Sequence, residues 1–131
     1  MRTVTNAEEL GKAIKTHSYP ISVKSEELVG CINSLRSLSR FVWMPVVGSL
    51  GAVLVVFWGG AGITMLITGL AGAAAVGAVA AAGGGVAIAI VGIDVTVSAV
   101  KIAAGGGGIK ILNEIRTHEW NSSTKSEGVL S

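Results

Sequence analysis

The sequence predicts an all-α membrane protein: a Gly/Ala-rich transmembrane helical hairpin of two spans, with three as the alternative, behind a small helix–extended–helix N-terminal region. Three observations carry this prediction. From Phe41 to Ile93 there is no Asp, Glu, Lys, Arg or His. At about 1.5 Å per helical residue that run would extend roughly 80 Å, against a bilayer hydrocarbon core of about 30 Å. Half of the 131 residues are apolar and only 14% are charged, with a mean hydropathy of +0.67, well to the apolar side of the usual balance. The 19 glycines fall mostly between Gly48 and Gly108. They fill no core volume, but between membrane helices they let backbones approach closely.

Residues 1–40 are polar. Thr5 followed by Glu8 fits a capping box opening a helix on which Ala7, Leu10 and Ile14 share a face, with Lys12 and Lys15 at its C-terminal end. Tyr19, Ile21 and Val23 alternate with Ser22 and Lys24 as a short strand, which Pro20 would confine to a sheet edge. Ser25 caps a second helix, with Glu26 and Glu27 in its first turn and Leu28, Ile32, Leu35 and Leu38 along one side. The unit is too small for a strong core of its own, so it is expected to pack on the membrane surface, on other copies or on a protein partner.

The Gly/Ala-rich region, 41–104, divides at glycines into candidate segments 41–58, 63–82 and 86–104. The first is bounded by Trp43 and Trp58, where interfacial aromatics sit, and Pro45 predicts a break or bend between Arg40 and Pro45. Gly59 and Gly60 mark the following turn. The second carries Gly69, Ala73, Gly77 and Ala81, a small residue at every fourth position that forms a flat groove for another helix. This spacing resembles the glycine-zipper class of membrane segments, which includes channels, pore-forming toxins and packed helices. Gly83, Gly84 and Gly85 form the next hinge.

Segment 86–104 contains Asp94, Ser98 and Lys101 at helical spacing, so one polar side faces a neighbour, water or a pore. Read as a strand, Ile93, Val95 and Val97 alternate with polar residues, but an isolated strand in lipid leaves backbone groups unsatisfied. The helix is therefore preferred. A carboxylate among apolar residues in lipid needs a partner, water or a proton. A Gly/Ala hairpin with one such carboxylate resembles the proton-carrying ring subunit of rotary ATP synthases. Three apolar runs, a glycine triplet in place of a polar loop and the long N-terminal region depart from that pattern.

Region 105–120 opens with a hinge at Gly105, Gly106, Gly107 and Gly108, after which Ile109 to Trp120 reads as an amphipathic helix with Ile111, Leu112 and Ile115 on one side, lying on the membrane surface with Trp120 as an interface anchor or equally packing on the N-terminal unit. Residues 121–131 read as a disordered tail. Arg36 and Arg40 before the first run, with Lys101, Lys110 and Arg116 around the last, put both ends on the cytoplasmic side. That requires an even number of crossings, so 86–104 would be re-entrant or lie in the interface.

The net charge is only +2, and no basic patch is interleaved with aromatics, so no nucleic-acid partner is expected. Cys31 is the only cysteine, which excludes an intrachain disulfide. The polar start argues against a cleavable signal peptide. His17 and His118 lack spaced partners, so neither a metal, a cofactor nor an enzymatic activity is expected. The functional expectation is a small self-assembling integral membrane protein that perturbs or permeabilises a membrane, of the pore-forming toxin, holin or cell-death effector type. Its partners would be the lipid bilayer and further copies of itself, and its place a bacterial inner membrane with the N-terminus cytoplasmic. The alternatives are a passive membrane anchor or scaffold with a partner-binding module at residues 1–40, and an ion- or proton-conducting subunit using Asp94.

Overall fold

The computed structural model describes residues 2–58, 83–122 and 124–131, and the side chains of 56–58 are not among what it describes. In chain order the elements are β1 (Arg2–Val4), α1 (Ala7–Lys15), β2 (Ile21–Val23), α2 (Glu26–Ser37), α3 (Arg40–Trp58), α4 (Gly85–Val91), α5 (Ile93–Gly106), α6 (Lys110–Thr117), β3 (Trp120–Ser122) and β4 (Gly128–Leu130). The fold is thus mostly helical with a small mixed sheet, ordered β1-β2-β4-β3, and the all-α expectation is corrected.

The two ends of the chain build that sheet together. β1 pairs parallel to β2, with Arg2 opposite Ile21 and Val4 opposite Val23, and α1 provides the crossover that a parallel pair needs. β4 runs antiparallel to β2, with Ile21 opposite Leu130, and β3 closes the other edge against β4. Residues expected to form a disordered tail therefore supply a central strand, whose Leu130 is fully buried. Pro20 does not put β2 on an edge, because it precedes the first ladder residue and offers only its carbonyl, which accepts from the Arg2 N–H at 3.2 Å.

The helices begin where local chemistry sets them. Asn6 rather than Thr5 caps α1, accepting from the Glu9 N–H at 2.8 Å. Thr5 and Asn6 both donate side-chain hydrogen bonds to the Glu9 carboxylate, so the N-cap lies one residue later than expected and the reciprocal bond to the cap's backbone N–H is replaced by side-chain bonds. Ser25 caps α2 through the Leu28 N–H. α3 runs without a break from Arg40 through Pro45. The hydrogen bond that Pro45 cannot donate would have gone to Phe41, and both residues are exposed, so water can take that carbonyl.

Among the described residues no single helix is long and apolar enough to cross a membrane. The apolar run at 86–104 is two helices, α4 and α5, bent by 120° at Gly92, whose φ of 87° suits glycine. The Thr96 hydroxyl donates to the Gly92 carbonyl at 2.7 Å and fixes the start of α5. What read as lipid-facing sequence is largely protein core: Ala99, Val100, Ile102 and Ala103 are fully buried. They pack with Leu10 and Ile14 of α1, Ile32 and Leu35 of α2, and Leu112 and Ile115 of α6. The helical-hairpin fold class is therefore overturned, and with it the integral-membrane placement, the inner-membrane location and the transmembrane character given to segment 41–58. Segment 63–82 lies outside the described residues.

α1 and α5 approach to backbone contact. A Cβ placed on Gly11 would lie against the Ile102 carbonyl oxygen and 2.7 Å from the Gly106 nitrogen; one on Gly105 would lie 2.5 Å from the Glu8 carbonyl oxygen. Gly105 and Gly106, expected to be part of a flexible hinge, are instead the last turn of α5 and the surface that admits α1. Gly107 ends the helix in the left-handed region at φ 88°, and Gly108 leads into α6.

Candidate functional site

Asp94, Ser98 and Lys101 of α5 face the N-terminal region. Ser98 is buried, and its hydroxyl donates to the Glu27 carboxylate at 3.0 Å. Lys101 lines a cavity of about 300 Å³ with Ser98, Glu27 and the residues that open α1 and α2. Asp94 is exposed in the first turn of α5. It borders a more open groove of about 670 Å³ whose other wall is Glu26, Glu27, Gly30 and Ser34 of α2. Glu27 is common to both spaces. The i, i+4, i+7 stripe was readable in the sequence, and what it faces is α1 and α2 of its own chain.

Neither space carries a poised nucleophile. The Cys31 thiol lies at the floor of the groove, 3.8 Å from the Val95 carbonyl oxygen. Burial first, and then the Glu27 charge, push its pKa up to about 12, the opposite of what a reactive cysteine needs. Ser98 is paired with a carboxylate rather than an imidazole. Among the described residues no group of three or more His, Cys, Asp or Glu is placed to hold a metal ion.

A second polar cluster ties the ends of the chain together. Tyr19 stacks on His118, with ring centroids 4.2 Å apart, and its hydroxyl reaches Glu114 at 3.5 Å. Burial, and then the charge of Glu114, raise the Tyr19 pKa to about 12. Because Tyr19 is the only tyrosine, absorbance near 295 nm during alkaline titration reads this residue alone. The expected midpoint lies near 12, and Glu114→Gln moves it part of the way towards 10, since burial remains. The folded chain holds this proton more tightly than the unfolded one. The contribution of Tyr19 to stability is therefore constant below about pH 10 and falls as pH rises from there through 12. A native-state midpoint near 10 would contradict the packed Tyr19–Glu114 arrangement.

Among the described residues, nothing covers the outer face of α3. One face is buried: Trp43, Val46, Leu50, Val53 and Leu54 pack inward. The Ser49 hydroxyl donates to the Gly83 carbonyl at 2.8 Å and accepts from the Ala87 N–H at 3.2 Å, which docks α4. At 100° per residue, Phe41, Met44, Gly48, Ala52 and Val55 fall together on the opposite side. Phe41 is 87%, Met44 69% and Val55 76% exposed. On α4, Val86 and Ile90, one turn apart, are 48% and 41% exposed. Sequence reasoning did not single out this stripe, because a helix apolar on every side shows no periodicity from which to pick a face.

The tryptophans are placed differently from interface anchors. Trp43 is on the inner face, with its indole N–H on the Asn113 side-chain oxygen at 2.9 Å and the Arg116 guanidinium 4.6 Å from its ring centroid. Trp120 donates to Asn33 at 2.8 Å and covers Gly128, where a Cβ would meet its ring. The side chain of Trp58, the hinge residues Gly59 and Gly60, and the small-residue series Gly69, Ala73, Gly77 and Ala81 lie outside the described residues. Of the remaining hinge glycines, Gly83 has φ 109° and holds Ser49, Gly84 caps α4 and Gly85 is its first residue. No family model, no curated protein and no solved structure matches this chain.

Proposed function

We propose that this chain is a non-catalytic interaction module that acts by docking the apolar outer face of α3 onto another apolar helix. The observation that carries the reading is the coincidence of Phe41, Met44 and Val55, each more than two-thirds exposed, on one side of one helix. A helix apolar all round is normally covered all round, and contiguous exposed apolar patches mark interaction sites. The fold behind the face supports the same reading. Trp43, Asn113, Arg116 and Ser49 hold the inner side of α3 by directed hydrogen bonds and a stacked cation, so the helix presents its outer side on a fixed support.

The test is fluorescence anisotropy with a fluorescein-labelled amphipathic Leu/Ala peptide as the probe helix. The native chain is expected to bind it. The double variant Phe41→Lys and Val55→Lys is expected to lose at least about tenfold in affinity, roughly 1.4 kcal/mol, with its thermal midpoint unchanged, because neither side chain is packed. Equal binding by both chains, or no binding by the native chain, overturns the reading.

A further inference from the structure

Among the described residues, two opposite charges on the wall of the cavity between α1, α2 and α5 have no ionic partner. The cavity encloses about 300 Å³. That is the lower end of the range for small-molecule sites, about 300–1,000 Å³, so it suits a small ligand. Three charged side chains line it: Glu8, Glu27 and Lys101. Glu8 is paired with Lys12 at 3.5 Å. Glu27 accepts from the Ser98 hydroxyl at 3.0 Å but forms no ion pair among the described residues. Lys101 forms none there either, although it is half-buried between the fully buried Val100 and Ile102. We propose that this cavity binds a small free amino acid, its carboxylate on Lys101 and its ammonium on Glu27.

The signs of the two charges select the ligand. In a space of this size a plain anion on Lys101 is repelled by Glu27, and a plain cation on Glu27 by Lys101; a zwitterion satisfies both. Local structure accounts for the carboxylates but not for the lysine. Glu8 and Glu27 stand in the first turns of α1 and α2, where acidic side chains suit the helix dipole. Lys101 is outside the last turn of α5, so no helix end asks for its charge. A cation drawn partly out of water without a partner is costly, and a bound carboxylate supplies the partner. The rest of the wall suits a small side chain: Ala7 and Leu28 are buried apolar surface, and the Thr5 and Ser25 hydroxyls offer hydrogen bonds to a polar one. The site uses no residue of α3, so it stands apart from the docking face.

Isothermal titration calorimetry of the full chain tests the assignment, with L-alanine and L-serine as probes and acetate and ethylammonium as their two charged halves. The native chain is expected to bind at least one of the amino acids at a single site, and each half at least about tenfold more weakly. Glu27→Gln keeps an acceptor for Ser98, and Lys101→Met keeps most of the apolar stem, so both are expected to retain native circular dichroism. Each is expected to lose at least about tenfold in affinity for the amino acid. Each should also stop rejecting one half: Glu27→Gln binds acetate, and Lys101→Met binds ethylammonium, within about threefold of the amino acid. Should one variant lose its fold, the other reads the same site. Absence of binding by either amino acid, unchanged affinity in a folded variant, or a half bound by the native chain as tightly as the whole would each overturn the inference.

Discussion

Gly11→Ala is expected to destabilise the protein by about 3 kcal/mol or more, a large share of the roughly 5–15 kcal/mol that holds a domain together. Two effects oppose each other at this site. Alanine favours a helix over glycine by up to about 1 kcal/mol, and Gly11 sits inside α1. Against this, the new methyl would meet backbone: the Ile102 carbonyl oxygen, the Gly106 nitrogen at 2.7 Å and the Gly105 carbonyl carbon at 3.0 Å. None of these is the movable end of a side chain, so α1 as a whole must withdraw from α5. That withdrawal uncovers Leu10, Ala13 and Ile14 on one side and Ile102 and Ala103 on the other, all fully buried. The clash therefore wins. Gly30→Ala is the control, because Gly30 is exposed on α2 and a Cβ there meets nothing within 4 Å; the same change should stabilise by about 0.5–1 kcal/mol. Urea unfolding midpoints at unchanged slope read both. A neutral Gly11→Ala would show that α1 and α5 do not meet at backbone distance.

The pair Gly11 and Gly105–Gly106 also shows how far the sequence could be read. Short-range chemistry was legible. Ser25 caps α2, the Leu28–Ile32–Leu35 face is the buried face, and β2 lies where alternation placed it. The N-cap of α1 was off by one residue because Thr5 and Asn6 are both competent caps. Pairing over long distance was not legible. β1 and β4 have three residues each, too few to carry a pattern, and the pairing of Ile21 with Leu130 joins opposite ends of the chain. The polar side of α5 was legible as a stripe, but Ser98 bonds a carboxylate 71 residues earlier, and nothing local announces that partner. The largest error came from equating missing charge with lipid. Glycine runs read as hinges between spans set the limits of short helices at Gly85 and Gly107, the single Gly92 inside the third run divides it in two, and the small side chains of α5 admit α1 and α2 as readily as they would admit a membrane helix. The outer face of α3 stayed invisible for the same reason that its inner face did: both are apolar.

Arg36→Met is expected to cost about 2–3 kcal/mol, with a coupling to Arg116→Met that makes the double variant less damaged than the sum of the singles. Arg36 lies on α2, yet one of its guanidinium nitrogens donates to three carbonyls at the end of α6: Ile115 at 2.8 Å, Arg116 at 3.2 Å and His118 at 2.7 Å. Arg116 on α6 returns the arrangement, donating to the Leu35 carbonyl at the end of α2 at 2.6 Å. Each helix thus caps the other, placing a cation at the C-terminal end where unpaired carbonyls and the helix dipole favour it. Removing Arg36 leaves three partly buried carbonyls without that donor, and hydrogen bonds to a charged group contribute more than neutral ones. The two guanidinium groups also repel. Burial, and then the Arg36 charge, lower the Arg116 pKa below the usual arginine value, so losing one arginine relieves the other. Both effects act in the same direction. Once either cap is gone the α2–α6 contact is already loosened, and the second removal costs less. Arg116→Met alone should cost about as much, because it also removes the cation from the Trp43 ring, and quenching of tryptophan fluorescence should change with it. A double-mutant cycle in urea measures the coupling, expected near 1 kcal/mol. Strict additivity would mean that the two caps act on separate helix ends rather than on one shared contact.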